Sequence, residues 1–510
     1  MVEDYNGYFK TWWVRNKAIL LFSLCIAILC YGYEIFNFSL SIDEEIASFS
    51  DANGRKTYLL IGRWGTYLLN HLLFSQSIIP YAPFLLGVLC LALSGVLLAG
   101  NLPGSTASKI IFLTIFITSP FHSYYLAFNT ADPFFGIGMI FTIISYSEAV
   151  KGLSSGKKSS FLFSSLLLAF ALSIYQALFS FFVTLVVFHF LLTLRDNETV
   201  PLRGSFKDAG LFLLLAVFAL GIYKAGDIVA RWIFIDGSNI SGATYLEAYK
   251  GWGKAPAREI LDNLNQSTLK FFTGKMIPAG SYITVLSVIL LVPLLFWQLS
   301  RGKTNLLHKV IRTGLVVVLL FAPFTLMYLN GAPLQVRSML AFPLMLAMLW
   351  WLPFERLGNY WKQMMLVLGL VVFINNMTTT TRLFYSSTMT WQADRELANR
   401  LLERIHAMEF PKTDEKIPVV FFGAYSHPAN RLFIHSDIFG ASFFEWDHCN
   451  PSRITGFFRT LGIEELQVIP ESKTSRQVHD SVQHMPVWPR RGSVGLIDGI
   501  VVVKLSRIQP

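Results

Sequence analysis

The sequence predicts an all-α polytopic membrane protein with a small α/β extramembrane domain at its C-terminal end, on three observations. Of 510 residues, 53% are hydrophobic and only 15% charged, with 44 Phe and a mean hydropathy of +0.49, whereas ordinary soluble chains are about 25% charged. Apolar runs such as residues 17–36 and 78–100 exceed the ~18 residues that mark a bilayer span. The third observation is where the charge lies. Residues 391–510 hold 14 Lys+Arg and 14 Asp+Glu, a soluble density, so the whole net charge of +10 sits in the first 390 residues. That excess follows membrane topology; a nucleic-acid reading of the pI near 9.3 fails because no soluble segment carries a basic patch with interleaved aromatics.

Hydropathy places about eleven transmembrane helices, centred near residues 27, 89, 114, 141, 168, 186, 220, 290, 320, 346 and 370. The first apolar run lacks a small-x-small cleavage site and is expected to stay as an uncleaved anchor. Alternate loops are basic, with Lys10, Arg15 and Lys17, then Lys151, Lys157 and Lys158, then Arg301, Lys303, Lys309 and Arg312, while the loops near 121–133 and 175 have no Lys or Arg. The positive-inside rule makes the basic set and the N-terminus cytoplasmic, and an odd number of spans puts the tail outside. Residues 109–150 and 161–194 are each read as two short helices around an external break, which leaves either a polar recess or merely tilted helices. A membrane module over 1–385 and an α/β domain over 386–510 result, with external loops at 38–78 and 236–282.

Within the first loop, Leu60, Trp64, Leu68 and Leu72 recur at helical spacing, which predicts an interfacial helix. In the tail, 394–408 reads as a helix, Ile417–Phe422 as a buried strand, and Val494–Ile497 with 500–505 as a hairpin turning on Asp498-Gly499. Cys25, Cys30, Cys90 and Cys449 offer no disulfide framework.

Few residues can carry chemistry. Asp43, Glu44 and Glu45 follow the first span closely, and carboxylates at a membrane edge often signal function; a solvated loop charge or a helix N-terminal acid is the plainer alternative. Asp132 sits at the tip of an uncharged loop, where it is a catalytic candidate or, with Pro133 after it, a helix cap. Arg63 and Arg337 lie beside apolar segments, as phosphate ligands or as snorkelling side chains. Trp64, Tyr175 and Gln176 are candidates for substrate contact. Phosphate-loop, dinucleotide, zinc-hydrolase and nucleophile-elbow motifs are absent, and the spacing of the tail histidines fits no metal pattern. No metal ligand is assigned.

Taken in order, Ser41-Ile42-Asp43-Glu44-Glu45, Gly62-Arg63-Trp64-Gly65, Ala131-Asp132-Pro133-Phe134, Ser173-Ile174-Tyr175-Gln176-Ala177 and Met485-Pro486-Val487-Trp488-Pro489 with Gly492-Ser493-Val494 resemble the bacteriophage-type, serotype-converting O-antigen glucosyltransferases, the glucosyl transferase type II family. The resemblance implies a GT-C-like fold in the bacterial inner membrane. It implies transfer of glucose from undecaprenyl phosphate-glucose to an O-antigen glycan of lipopolysaccharide on the periplasmic side, with inversion. A carboxylate of the first loop, Asp43 or Glu44 by preference, would be the general base, and Arg63 or Arg337 would hold the donor phosphate. No cofactor is required; a divalent metal is permitted but unsupported. The bilayer, the lipid-linked donor and the glycan are the expected partners, and nucleic acid is not. A lipid-linked sugar flippase or transporter is the competing reading; it would place ionisable residues near the bilayer midplane.

Overall fold

The computed structural model describes residues 2–47, 56–74, 79–128, 132–196, 202–235, 250–277, 282–300, 306–408, 416–428 and 433–507. It is 73% helical, and a helix covers each of the eleven expected positions. Among the described residues six helices are long and apolar enough to cross a membrane: Asn16–Phe36, Ala82–Asn101, Pro133–Ser155, Gly204–Phe234, Leu306–Asn330 and Asn359–His406. Lys158–Ile174, Leu178–Leu194, Val285–Leu299 and Ala341–Phe354 are shorter, and so is Thr106–Ile117 at 12 residues. A count of eleven full spans therefore does not follow from helix length.

A helix that stops short leaves its last carbonyls without partners, a costly state in an apolar environment. At Ile117 the neighbours supply donors. Tyr31 of the first helix donates its hydroxyl to the carbonyl oxygen of Ile117 at 2.8 Å, and His122 Nε2 lies 2.9 Å from that of Phe116. At the other break Thr66 Oγ1 donates to the carbonyl oxygen of Ile174 at 3.0 Å. The break at Tyr175-Gln176 is thus covered by the segment from the first loop.

That segment is two helices, Thr57–Leu60 and Trp64–Leu73, not the single one expected. Gly62 interrupts it with a φ of 75°, a conformation glycine adopts without steric penalty. The apolar stripe packs only in part, with Leu60, Trp64 and Leu68 half-buried. Gly65, Thr66 and Asn70 are buried and Leu72 is exposed, as suits a helix whose outer neighbour is lipid. In the second loop, the described helix Ala257–Phe272 buries Leu264 and Phe271 and leaves Arg258 and Lys270 exposed; residues 236–249 and 278–281 of that loop lie outside the described ones.

The last span and the first helix of the tail are one helix, Asn359–His406, of 48 residues. At a ~1.5 Å rise per residue it is about 72 Å long, more than twice the ~30 Å hydrocarbon core. It runs without a break through the expected boundary at 385. Its far end packs Leu397, Leu401 and Ile405 against Val419, Phe421, Phe457, Val501 and Val503. The strands there are β1 (Ile417–Phe422), β2 (Leu466–Val468), β3 (Val494–Ile497) and β4 (Ile500–Lys504), in the order β2-β1-β4-β3. β1 pairs in parallel with β2 and β4, and β3 with β4 forms the expected hairpin. Opposite that cluster, Val420, Phe422 and Val502 pack on Val478 and Val482, so β1 is covered on both sides, as its unbroken apolar run requires.

Candidate active site

Two sets of side chains are held where loops of the membrane module meet the C-terminal unit. The first surrounds Tyr175. The helix Lys158–Ile174 ends there, which buries the Tyr175 ring and leaves its hydroxyl 2.7 Å from Ser338 Oγ. The Arg63 guanidinium lies over that ring, 4.5 Å from its centroid, while Arg337, next in sequence to Ser338, lies 5.2 Å from the centre of the Phe128 ring. Tyr175 therefore touches Arg63 and, through Ser338, the segment that carries Arg337, which the sequence keeps 274 positions from Arg63. Arg63 Nε is buried with no hydrogen-bond partner among the described residues.

Gln176 and Trp64 support this arrangement. Gln176 Nε2 donates to the carbonyl oxygen of Ile61 at 2.9 Å and to Tyr223 Oη at 3.0 Å, and Tyr223 donates to the carbonyl oxygen of Gly62 at 3.1 Å. Trp64 packs edge-on against Phe170, and its indole N–H donates to the carbonyl oxygen of Tyr223 at 3.3 Å. These contacts set the strand of backbone that carries Arg63. On the other side the C-terminal unit contributes Asp437, whose pKa burial raises against the opposing pull of the Arg337 charge. Ser436 Oγ lies 2.5 Å from Tyr124 Oη, and Phe439 packs on Tyr124 and Phe384.

The second set is the acidic triplet. Glu44 is fully buried, and its Oε2 accepts the Ser41 backbone N–H at 3.0 Å, which closes the turn before the short helix Glu44–Ala47. Glu45 is also fully buried. Burial pushes its carboxyl up from 4.5 to about 7, against the opposing pull of Arg453. Asp43 is the exposed member at 52% and adopts a φ of 75°. Arg453 reaches it from the C-terminal unit. Its Nη1 lies 2.8 Å from Asp43 Oδ1 and 2.7 Å from Glu45 Oε1, and its Nε lies 2.8 Å from Asp447 Oδ2. Glu34, at the end of the first helix, is buried as well and accepts from Ser39 Oγ at 3.3 Å.

The helix Asp132–Ser155 begins at Asp132, but the Asp132 side chain and residues 129–131 lie outside the described ones. Phe135, one turn further on, packs edge-on against Tyr175. Among the described residues no group of three or more His, Cys, Asp or Glu side chains is arranged to hold a metal ion. Sequence reasoning missed Glu34, Asp437 and Arg453. Glu34 had a signal, a carboxylate inside an apolar run; the other two had none, since only the fold brings the tail against these loops.

No curated protein matches the chain. The sequence does match the family model described as glucosyl transferase GtrII, over residues 32–353. That range takes in the acidic triplet, both arginines, Asp132 and Tyr175, and ends before the C-terminal unit.

Proposed function

The chain belongs to the GtrII glucosyl transferase family and its long apolar helices make it a membrane glucosyltransferase; from that premise we propose that it moves glucose from undecaprenyl phosphate-glucose to O-antigen repeat units of lipopolysaccharide. The reaction takes place on the periplasmic face of the inner membrane. The observation that carries this reading is Arg63, lying over the Tyr175 ring with its buried Nε unpartnered among the described residues, beside the Ser338 segment that carries Arg337. A buried guanidinium N–H without an acceptor costs about 1–3 kcal/mol, and a phosphate oxygen at Arg63 Nε would relieve it. Guanidinium is also the group best suited to a phosphodiester in a partly dry site.

Asp43 is the base in this scheme, because it is the exposed carboxylate of the three. It takes the proton of the acceptor hydroxyl as that oxygen bonds to the anomeric carbon. The bond from that carbon to the phosphate oxygen breaks, its electron pair leaves with the lipid phosphate, and the arginines hold the added charge. Attack opposite to the leaving group inverts the anomeric configuration. Glu44 and Glu45, being buried, shape the turn that presents Asp43.

The test is a transfer assay in membranes with undecaprenyl phosphate-glucose and O-antigen acceptor. Asp43→Asn is expected to lower kcat by about 10²–10⁴ with donor binding retained, and Arg63→Gln to raise the donor KM. Undiminished transfer by Asp43→Asn would move the base elsewhere, first to Asp132. Loss of donor translocation, rather than of transfer, would identify a lipid-linked sugar transporter.

A further inference from the structure

We propose that Arg453, on the helix Pro451–Thr460 of the C-terminal unit, is a positioning residue for the Asp43 carboxylate during sugar transfer. The inference rests on the reading of Asp43 as the base. It begins with the backbone. Asp43 adopts a left-handed conformation, which Asp enters more readily than most residues other than glycine, and its neighbours fix it there. Two contacts do so: the Glu44 carboxylate closes the turn on Ser41, and Arg453 holds Asp43 from the opposite side.

Arg453 is itself only 14% exposed and is held by three carboxylates. The helix that carries it starts at Asn450, whose side chain caps Ser452 N at 2.8 Å. Gly456, one turn on, lets that helix approach the 44–47 turn; a Cβ there would come 3.0 Å from both Cγ and the carbonyl oxygen of Glu45. Asp447 fixes the guanidinium from behind through Nε, leaving Nη1 for Asp43 and Glu45. A planar fork can serve three carboxylates at once, which a lysine ammonium, a single point charge, cannot reproduce.

An arginine tied to one carboxylate alone would neutralise it and make a poor partner for a base. Here three carboxylates share one guanidinium, so the cluster stays net negative and Asp43 is oriented without losing its capacity to accept a proton. Glu45 and Asp447 occupy Arg453, and Asp43 takes its direction from it. The family match ends at residue 353, so the residue that aims this carboxylate lies outside the matched region.

Arg453→Gln tests the assignment, assayed for transfer in detergent-solubilised full-length protein with undecaprenyl phosphate-glucose. A misplaced base is expected to lower kcat about 100-fold, with the donor KM within about twofold, since Arg63 and Arg337 are untouched. Arg404→Gln loosens the contact of the long helix with the Trp488 segment of the same C-terminal unit, away from the cluster, and is expected to leave kcat within about twofold. In an Asp43→Asn background, Arg453→Gln should lower kcat no further. Unchanged kcat in Arg453→Gln, with Asp43→Asn inactive, overturns the proposal and leaves the base assignment standing. Full transfer by Asp43→Asn overturns both. An Arg404→Gln loss as large as that of Arg453→Gln overturns it in favour of simple domain anchoring. If Arg453→Gln does not accumulate folded, Arg453→Lys carries the test: an intermediate kcat loss supports positioning, and full kcat overturns it.

Discussion

Glu45 is a buried carboxyl whose protonation is linked to the folded state. Its ordinary value of 4.5 rises to about 7 because burial disfavours the charged form more than Arg453 favours it. A folded value above the unfolded one means that the folded state binds the proton more tightly. The stability so contributed is full below about pH 4.5 and is lost as pH rises through about 7. Thermal midpoints in detergent are therefore expected to fall between pH 5 and 8 in wild type relative to Glu45→Gln, which cannot titrate. A difference that stays constant across that range would show that Glu45 is ionised throughout. Arg337 gives a second prediction at this scale. Its guanidinium packs on Phe128 and faces Asp437, so Arg337→Ala is expected to raise the donor KM at least tenfold, by loss of a charge-assisted contact of about 1.5–3 kcal/mol, with stability little changed.

At the scale of elements, the break at Gly62 decides where Arg63 points. A helix continued through residues 57–73 would turn the residue after Gly62 along the helical path; the left-handed glycine instead starts a second helix at Trp64. A Cβ at Gly62 would stand 2.6 Å from Tyr223 Oη and 3.2 Å from Gln176 Nε2. Gly62→Ala is therefore expected to cost about 1–3 kcal/mol from the backbone conformation alone, and to disturb the Tyr223–Gln176 pair as well. Lowered thermal stability together with a raised donor KM is the expected result; wild-type values for both would mean that the break is not needed. The same logic holds at Ile117 and Ile174, where side chains from neighbouring helices satisfy the carbonyls of short helix ends.

Across the whole molecule, the long helix Asn359–His406 joins the two units. Asp394 on it is fully buried and pins the segment that returns to the membrane module. It accepts from His427 Nε2 at 2.8 Å, from Ser442 Oγ at 2.6 Å and from the Phe443 N–H at 2.8 Å. Between those anchors Ser436 and Phe439 reach Tyr124, and Asp437 reaches Arg337. Asp394→Ala would strand several buried donors at about 1–3 kcal/mol each. Faster proteolysis within residues 427–443 and a higher donor KM are expected, and unchanged proteolysis would mean that other contacts suffice. At the far end Arg404 lies over the Trp488 ring at 4.3 Å and donates to the carbonyl oxygen of Pro489 at 2.8 Å. The C-terminal motif around Trp488 thus locks helix to sheet.

Much of this was legible in the amino-acid order, because hydropathy, helical period and turn chemistry are local. The positions of the apolar helices, the strand Ile417–Phe422 and the hairpin on Asp498-Gly499 all stand as read. The helix break at Gly62, the union of the last span with the tail helix, and the inward face of Trp64–Leu73 were not legible, since each depends on what lies opposite. The acidic triplet and both arginines could be singled out as costly charges at a membrane edge. That Tyr175 lies between Arg63 and the Ser338 segment, that Glu44 and Glu45 are buried while Asp43 is exposed, and that Arg453 and Asp437 come from beyond residue 400 were decided by tertiary structure alone. Local composition sets which residues are expensive to place; only the packing of distant segments sets which partner makes each placement tolerable.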